Sequence, residues 1–422
     1  MRNKPLQPRL RPAILSNASD AGANQLFGIT LDIVTVTVLG FSATQVGLLN
    51  ALGSLAFLFL SVPLGMLVDR VGAARVLAVS LVAKLLGSGT VLILFLTGQL
   101  GTVAAMVAVT VTGILTVASE NAQTTIVPGL TRDTRGIAQV IATMASVDRA
   151  AGIIFPGVTG ALIALWGGAP ALALSTAFFA LAVAAMLPLV RKGPGRVRPA
   201  RAPSAAGNPA GAAKVLALGA GHGFAVLLRN RVLLGITLLT AAGNIGLAIG
   251  SSIQPILILR TLGLGMGFYG ILGTVAAAAA LTATFVAPAM VRRVSLRRLF
   301  GWGAVLQAVV AALSLAAYLW PGAAVVLLLA FEVCWAATLT VTNIAGAAFT
   351  ANAVSATSLG RTSAAQRTIT MGSVPLAAVG GGLLADAFGL GVPLLVWPLL
   401  TLGAAALFFM LTAHRASVPA AV

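Results

Sequence analysis

Twelve apolar stretches dominate this chain, and each exceeds the ~20 residues that a helix needs to cross a bilayer core. They run over 14–38, 45–68, 75–97, 102–127, 137–165, 170–190, 232–258, 267–291, 299–319, 323–349, 366–388 and 392–413. Polarity is concentrated in every third one. Span 1 carries Asn17, Asp20, Asn24 and Asp32; span 4 carries Thr116, Glu120, Asn121 and Gln123. Span 7 carries Thr240, Asn244 and Gln254, and span 10 carries Glu332, Thr338 and Asn343. Spans 3, 6, 9 and 12 are nearly bare. Polar groups at membrane depth are tolerated where they face a protein interior or a water-filled cavity. The pattern therefore predicts an all-α membrane protein in which every third helix lines a cavity, the anatomy of a transporter.

Composition excludes other classes. With 59% hydrophobic and 8% charged residues, the chain is far too apolar for a soluble core. A net charge of +18 suggests nucleic acid only if Lys and Arg gather on one folded aqueous face. Here they sit in short loops. All but Arg260, Lys84 and Arg149 fall before span 1, in or at the edges of the even-numbered loops, or after span 12, which puts both termini in the cytoplasm and removes nucleic acid as a partner. The basic tail Met1–Pro12 precedes a segment too long and polar for a secretory signal, so it is expected to stay attached. Cys334 is the single cysteine, no cluster has metal-ligand spacing, and no nucleophile sits with a base, so neither an enzyme nor a resident cofactor is expected. His222 and His414 lie in cytoplasmic segments. Abundant Ala and an excess of Arg over Lys fit a GC-rich bacterial genome, hence a bacterial inner membrane. The expected partners are a small-molecule substrate and the lipid bilayer, with the chain a monomer.

The chain divides at residues 191–231, where RKGPGRVRPARAPSAAGNPAG breaks the hydrophobic pattern as a cytoplasmic linker would. Lys214–Leu228 reads either as an amphipathic helix on the inner leaflet or as a disordered tether. Six spans lie on each side, in bundles 1–190 and 232–422. A shift of 223 places MLVDRVGAARVL (Met66–Leu77) over AMVRRVSLRRLF (Ala289–Phe300) and Gly47 over Gly270. Two pseudo-symmetric six-helix bundles that rock around a central site are the expected architecture.

Between spans 2 and 3, Gly65, Asp69, Arg70, Gly72 and Arg75 resemble the signature of the major facilitator superfamily. Ala73 and Ala74 stand where the family pattern has basic residues. GIIFPGVTG (Gly152–Gly160) in span 5 is similar to the family's antiporter motif, with Phe155 replacing the Gly before Pro156. Gly360–Leu384 resembles span 11 of bacterial drug and siderophore exporters of the enterobactin-exporter-like branch. The resemblance covers nearly the whole chain and implies the major facilitator fold with twelve transmembrane helices and proton-gradient-driven export. It also implies that Asp69 works as a latch against span 11. This chain lacks the Arg of the family's usual span 4 motif.

Each motif also has a physical reading. Asp69 follows a helix C-terminus, where an anion needs compensation by Arg70, Arg75 or the positive end of another helix. Pro156 with Gly152, Gly157 and Gly160 would bend span 5 or let another helix approach closely. Glu332 and Lys84 lie ~14 Å into their spans, and Asp148 and Arg149 ~17 to 18 Å into theirs. A carboxylate in low dielectric exchanges a proton nearer neutrality, so Glu332, on a cavity span with no base on its own helix, is the first candidate for proton coupling. Asp20 and Asp32 come next, followed by Glu120, on a stripe with Thr112, Thr116 and Gln123. Lys84, Asp148 and Arg149 form the candidate ion-pair network. Asn24, Phe27, Thr116, Gln123, Asn244, Trp335 and Asn343 are the candidate cavity lining, with Phe331 and Phe349 as further aromatics.

These features predict a proton-coupled exporter of a small amphipathic organic molecule such as a drug or natural product. The alternatives are an exporter of siderophores or other anionic metabolites, an importer or facilitator of the same fold, and a non-transporting receptor or scaffold.

Overall fold

The computed structural model describes residues 11–130, 134–191, 224–354 and 356–413. Among these there is no strand. The first half contributes α1 (Arg11–Thr37), α2 (Ala43–Val71), α3 (Ala73–Leu96), α4 (Thr102–Leu130), α5 (Thr134–Trp166) and α6 (Gly168–Arg191). The second contributes α7 (Arg231–Ile256), α8 (Met266–Arg293), α9 (Leu296–Leu319), α10 (Ala324–Ala353), α11 (Ala356–Gly372), α12 (Val374–Phe388) and α13 (Gly391–Thr412). Helix α7 continues into a π turn over Leu257–Thr261, while α11 and α12 together make the eleventh predicted span. A helix satisfies its own backbone, which is what hydrocarbon demands. Threonines do likewise: Thr30, Thr237 and Thr412 donate to the carbonyls four residues back at 2.6, 2.8 and 2.8 Å.

Eleven helical stretches among the described residues are long and apolar enough to cross a membrane. Helix α1 is the predicted span that falls outside this set, because its Asn and Asp residues dilute it. Yet 15 of its 27 residues are buried, against α4, α5 and α6. Its polar side chains face protein, so α1 need not be apolar all round.

The chain forms two compact units, 1–41 with 52–200 and 258–274, and 42–51 with 201–257 and 275–422. Within the second, Asp386 of α12 accepts hydrogen bonds from the Ser42 hydroxyl at 2.7 Å and from the Ala43 and Thr44 amides at 3.0 Å each. It caps the start of α2, whose first amides have no partner in their own helix. A Cβ on Gly382 would lie 2.2 Å from the Ala43 carbonyl oxygen, so this approach requires glycine. Within the first unit, Arg260 donates to the carbonyls of Val36 and Phe41, holding the end of α1. Of the sequence-defined linker, residues 192–223 lie outside the described residues, and 224–229 are helical.

Each unit has its own core. In the first, Leu77, Leu81, Ile126 and Met186 pack together, and a second cluster gathers Phe27, Leu31, Leu172 and Phe179. In the second, Ile236, Phe300 and Phe408 meet, while Phe331, Trp335 and Trp397 form an aromatic cluster with centroids 4.9–5.9 Å apart.

Candidate functional site

The first unit holds a buried charge pair. Lys84 of α3 and Asp20 of α1, 2% and 3% exposed, meet with Nζ 2.8 Å from Oδ1 and 3.1 Å from Oδ2. Ser119 of α4 accepts from Lys84 at 3.0 Å and donates to Asp20 Oδ2 at 3.1 Å. Gln123 and Asn24 donate to the same carboxylate at 3.4 and 3.3 Å, and Thr116 donates to Asn24 at 3.3 Å. The Phe179 ring lies 5.8 Å from Nζ. Desolvating two charges costs several kcal/mol each, and their attraction offsets this only if the remaining lone pairs and protons are also satisfied. The donors around Asp20 meet that condition.

This arrangement corrects the expected ion-pair network. Lys84 pairs with Asp20, not with Asp148. Asp148 is exposed and accepts from Asn17 at 2.9 Å, while Arg149 is exposed as well. Similar depth along two helices does not fix the direction in which their side chains project, and a long lysine spans the offset to Asp20. Two aromatic cavity candidates are also corrected. Phe27 packs edge-on against Phe179, and Trp335 is 3% exposed beside Phe331 and Trp397, so both belong to cores. Of the predicted α4 stripe, Gln123 turns inward to Asp20 whereas Glu120 is exposed. The Asp32 carboxylate, half-buried, has no hydrogen-bond or ion-pair partner among the described residues.

In the second unit, half-buried Glu332 of α10 accepts from Gln254 of α7 at 2.6 Å. Asn244 donates to the Thr370 carbonyl at 2.9 Å, tying α7 to α11. A cavity of about 380 Å³ opens between α7, α10 and α11, walled by Thr237, Thr240, Asn343, Thr350, Gln366 and Arg367. Gln366 donates to Thr237 at 3.0 Å and accepts from Thr350 at 3.3 Å. Arg367, which the sequence reading counted only as a topology charge, brings a cation into a wall of hydroxyls and amides with no carboxylate.

The turn between α2 and α3 is a single residue, Gly72, with φ 99°, a backbone conformation that side chains strain to adopt. Asp69, Arg70 and Arg75 around it are exposed, and Asp69 makes no ion pair with either arginine. A Cβ on Gly65 would meet nothing within 4 Å, so packing does not require that glycine. The span 5 motif is a close-packing surface. A Cβ on Gly160 would lie 2.8 Å from Gly270 Cα of α8, and one on Gly273 would lie 2.9 Å from Pro156 Cβ. The Gly157 amide donates to Thr274 at 2.8 Å, while Gly152 stands apart from this contact. Gly160→Leu should therefore cost about 1–3 kcal/mol through overpacking, whereas Gly65→Ala should leave the unfolding midpoint nearly unchanged. Equal midpoints for the two variants would refute the contact.

Residues 13–253 match the profile of the Major Facilitator Superfamily, more than half of the chain. The chain belongs to the major facilitator superfamily. Its fold is similar to that of the nucleoside transporter NupG, at TM-score 0.73 and 15% identity over 96% of this chain and 99% of that one. A POT family transporter in complex with 5-aminolevulinic acid gives TM-score 0.70 at 13% identity, covering 97% and 96%. A bacterial homolog of the human lysosomal transporter Spinster gives 0.68 at 14%, covering 96% and 98%. At these identities the likeness is one of fold. None of the curated proteins matches this major facilitator chain.

Proposed function

We propose that this major facilitator transporter exports a small organic molecule in exchange for protons, from a bacterial cytoplasm across the inner membrane. The observation that carries the reading is the buried Lys84–Asp20 pair with its satisfied polar shell. Charge is expensive inside apolar helices, and structures keep it there mainly for ion or substrate pathways. For a receptor or scaffold the same charge would be an unexplained expense. Glu332, with one amide donor, and Asp32, with none, are the carboxylates proposed to take and release the proton. Asp20 is proposed to respond to substrate through its lysine. Asn24, Thr116 and Gln123 in one unit and Asn244 and Asn343 in the other are proposed to shape the substrate path.

A second reading, export of an organic anion, draws on the wall of Thr237, Thr240, Asn343, Gln366 and Arg367, because a guanidinium beside hydroxyls suits a carboxylate on a polar frame. Cells expressing the protein should accumulate less of a lipophilic cation, ethidium, or of an organic anion, salicylate, than cells without it, and a protonophore should abolish the difference. Greater accumulation would establish an importer. No change with either compound would overturn both export readings for these substrate classes.

Charge asymmetry supports cytoplasmic termini. In a Cys334→Ala background, Ser204→Cys should resist a membrane-impermeant thiol reagent added to intact cells and react once the cells are opened. Labelling in intact cells would invert the topology.

A further inference from the structure

In the second unit an apolar groove of about 780 Å³ runs between α8, α9 and α10, from Val275 to Met290 along α8 and past Leu306 and Val333. Fifteen residue-to-residue steps of helix make it ~22 Å long, so its shape is elongated. All three helices are membrane-spanning candidates, and an occupant must therefore present an apolar body to these walls. One end differs from the rest. Arg298 in the first turn of α9 lines it, with Arg297 beside it and Arg292 and Arg293 at the end of α8, all exposed. None of the four pairs with a carboxylate among the described residues. Trp302, also lining the groove and 64% exposed, stands one helical turn from Arg298. Its ring meets Phe409 edge-on at 6.2 Å, and the Arg297 guanidinium lies 5.9 Å from that phenyl ring. Indole rings and arginines together mark headgroup depth.

We propose that this groove binds one anionic phospholipid, an acyl chain lying along α8 and the phosphate held by Arg298. An apolar trough that ends in uncompensated arginines complements that lipid better than it does a zwitterionic lipid or a free anion. A zwitterionic headgroup brings its own cation to the arginines, and a free phosphate leaves the trough unfilled. The arginine turn supplies attraction to negative headgroups. Arg297 is already engaged with Phe409, which leaves Arg298 as the one that faces into the groove.

Native mass spectrometry of the full-length protein in detergent tests this, with phosphatidylglycerol, phosphatidylcholine and glycerol phosphate as probes. Phosphatidylglycerol should bind as a single retained adduct and raise the unfolding midpoint, while the other two should do neither. Arg298→Gln should weaken that retention about fivefold, the worth of one arginine near a headgroup. Ala279→Phe, which fills the groove and changes no charge, should abolish it. Equal retention of phosphatidylcholine would overturn the charge assignment. Comparable binding of glycerol phosphate, or an undiminished adduct in Ala279→Phe, would overturn the groove. Dimers that lose the adduct as they form would give the groove to a second copy of the chain, which also overturns the proposal.

Discussion

Lys84→Met should destabilise the folded protein by about 3–5 kcal/mol, and Asp20→Leu by a similar amount, because each leaves a buried charge without its partner. The donors make the two losses differ in kind. In Lys84→Met the Asp20 carboxylate keeps Ser119, Asn24 and Gln123. In Asp20→Leu the ammonium keeps only the Ser119 hydroxyl and the Phe179 face. The lysine-only variant is therefore expected to be the less stable. The double variant Asp20→Leu/Lys84→Met should recover most of the loss, since apolar replacements for a buried pair are often neutral. It should nevertheless transport nothing uphill, which separates a functional pair from a structural one. Unfolding midpoints in detergent and transport in proteoliposomes measure the two effects. Strictly additive destabilisation in the double variant would mean that the two groups do not interact.

Much of the fold was legible because hydrocarbon leaves few options. A run of ~20 apolar residues becomes a spanning helix on backbone grounds alone, and the glycines of the α2–α3 and α5 motifs announced a turn and a close contact. Gly72, with its positive φ, and Gly160, against Gly270, do both. The partner helix in the second case, α8, was not legible, because no residue within α5 names its neighbour.

The site was less legible for the same reason. Position along a helix gives depth, while azimuth and neighbour decide contacts. Lys84 and Asp148 lie at similar depth, yet Asp20 has the lysine. Trp335 looked like a substrate contact because aromatics serve both roles, and its burial against Trp397 depends on Gly246 and Gly250, where a Cβ would lie 2.2 Å from that indole. Asp386 was missed altogether. A carboxylate near the end of a span reads as an ordinary boundary charge, and only the fold brings the start of α2 to it. Arg367 carried no such signal: it sits in span 11, outside the four polar spans, and only the fold brings it with Gln366 to the cavity wall.

Glu332→Gln should abolish concentrative transport while leaving the fold and substrate exchange intact. The Glu332 carboxylate faces the Gln254 amide at 2.6 Å, and a glutamine there still offers an oxygen to the same donor, so shape and hydrogen bonding are kept. Titration is lost. A proton gradient drives transport only through a group whose affinity for the proton differs between access states, and a permanently neutral residue gives the gradient no such grip. In proteoliposomes, counterflow should therefore persist while uphill movement under an imposed pH gradient falls to the protein-free level. Asp32→Asn and Asp20→Asn are the comparisons. Asp32, without a partner, should show a similar defect if it shares the proton path. Asp20, held by Lys84, should lose stability first, as removal of one member of a buried pair requires. Uphill transport by Glu332→Gln at the wild-type rate would remove Glu332 from the mechanism and pass the proton role to the span 1 candidate Asp32.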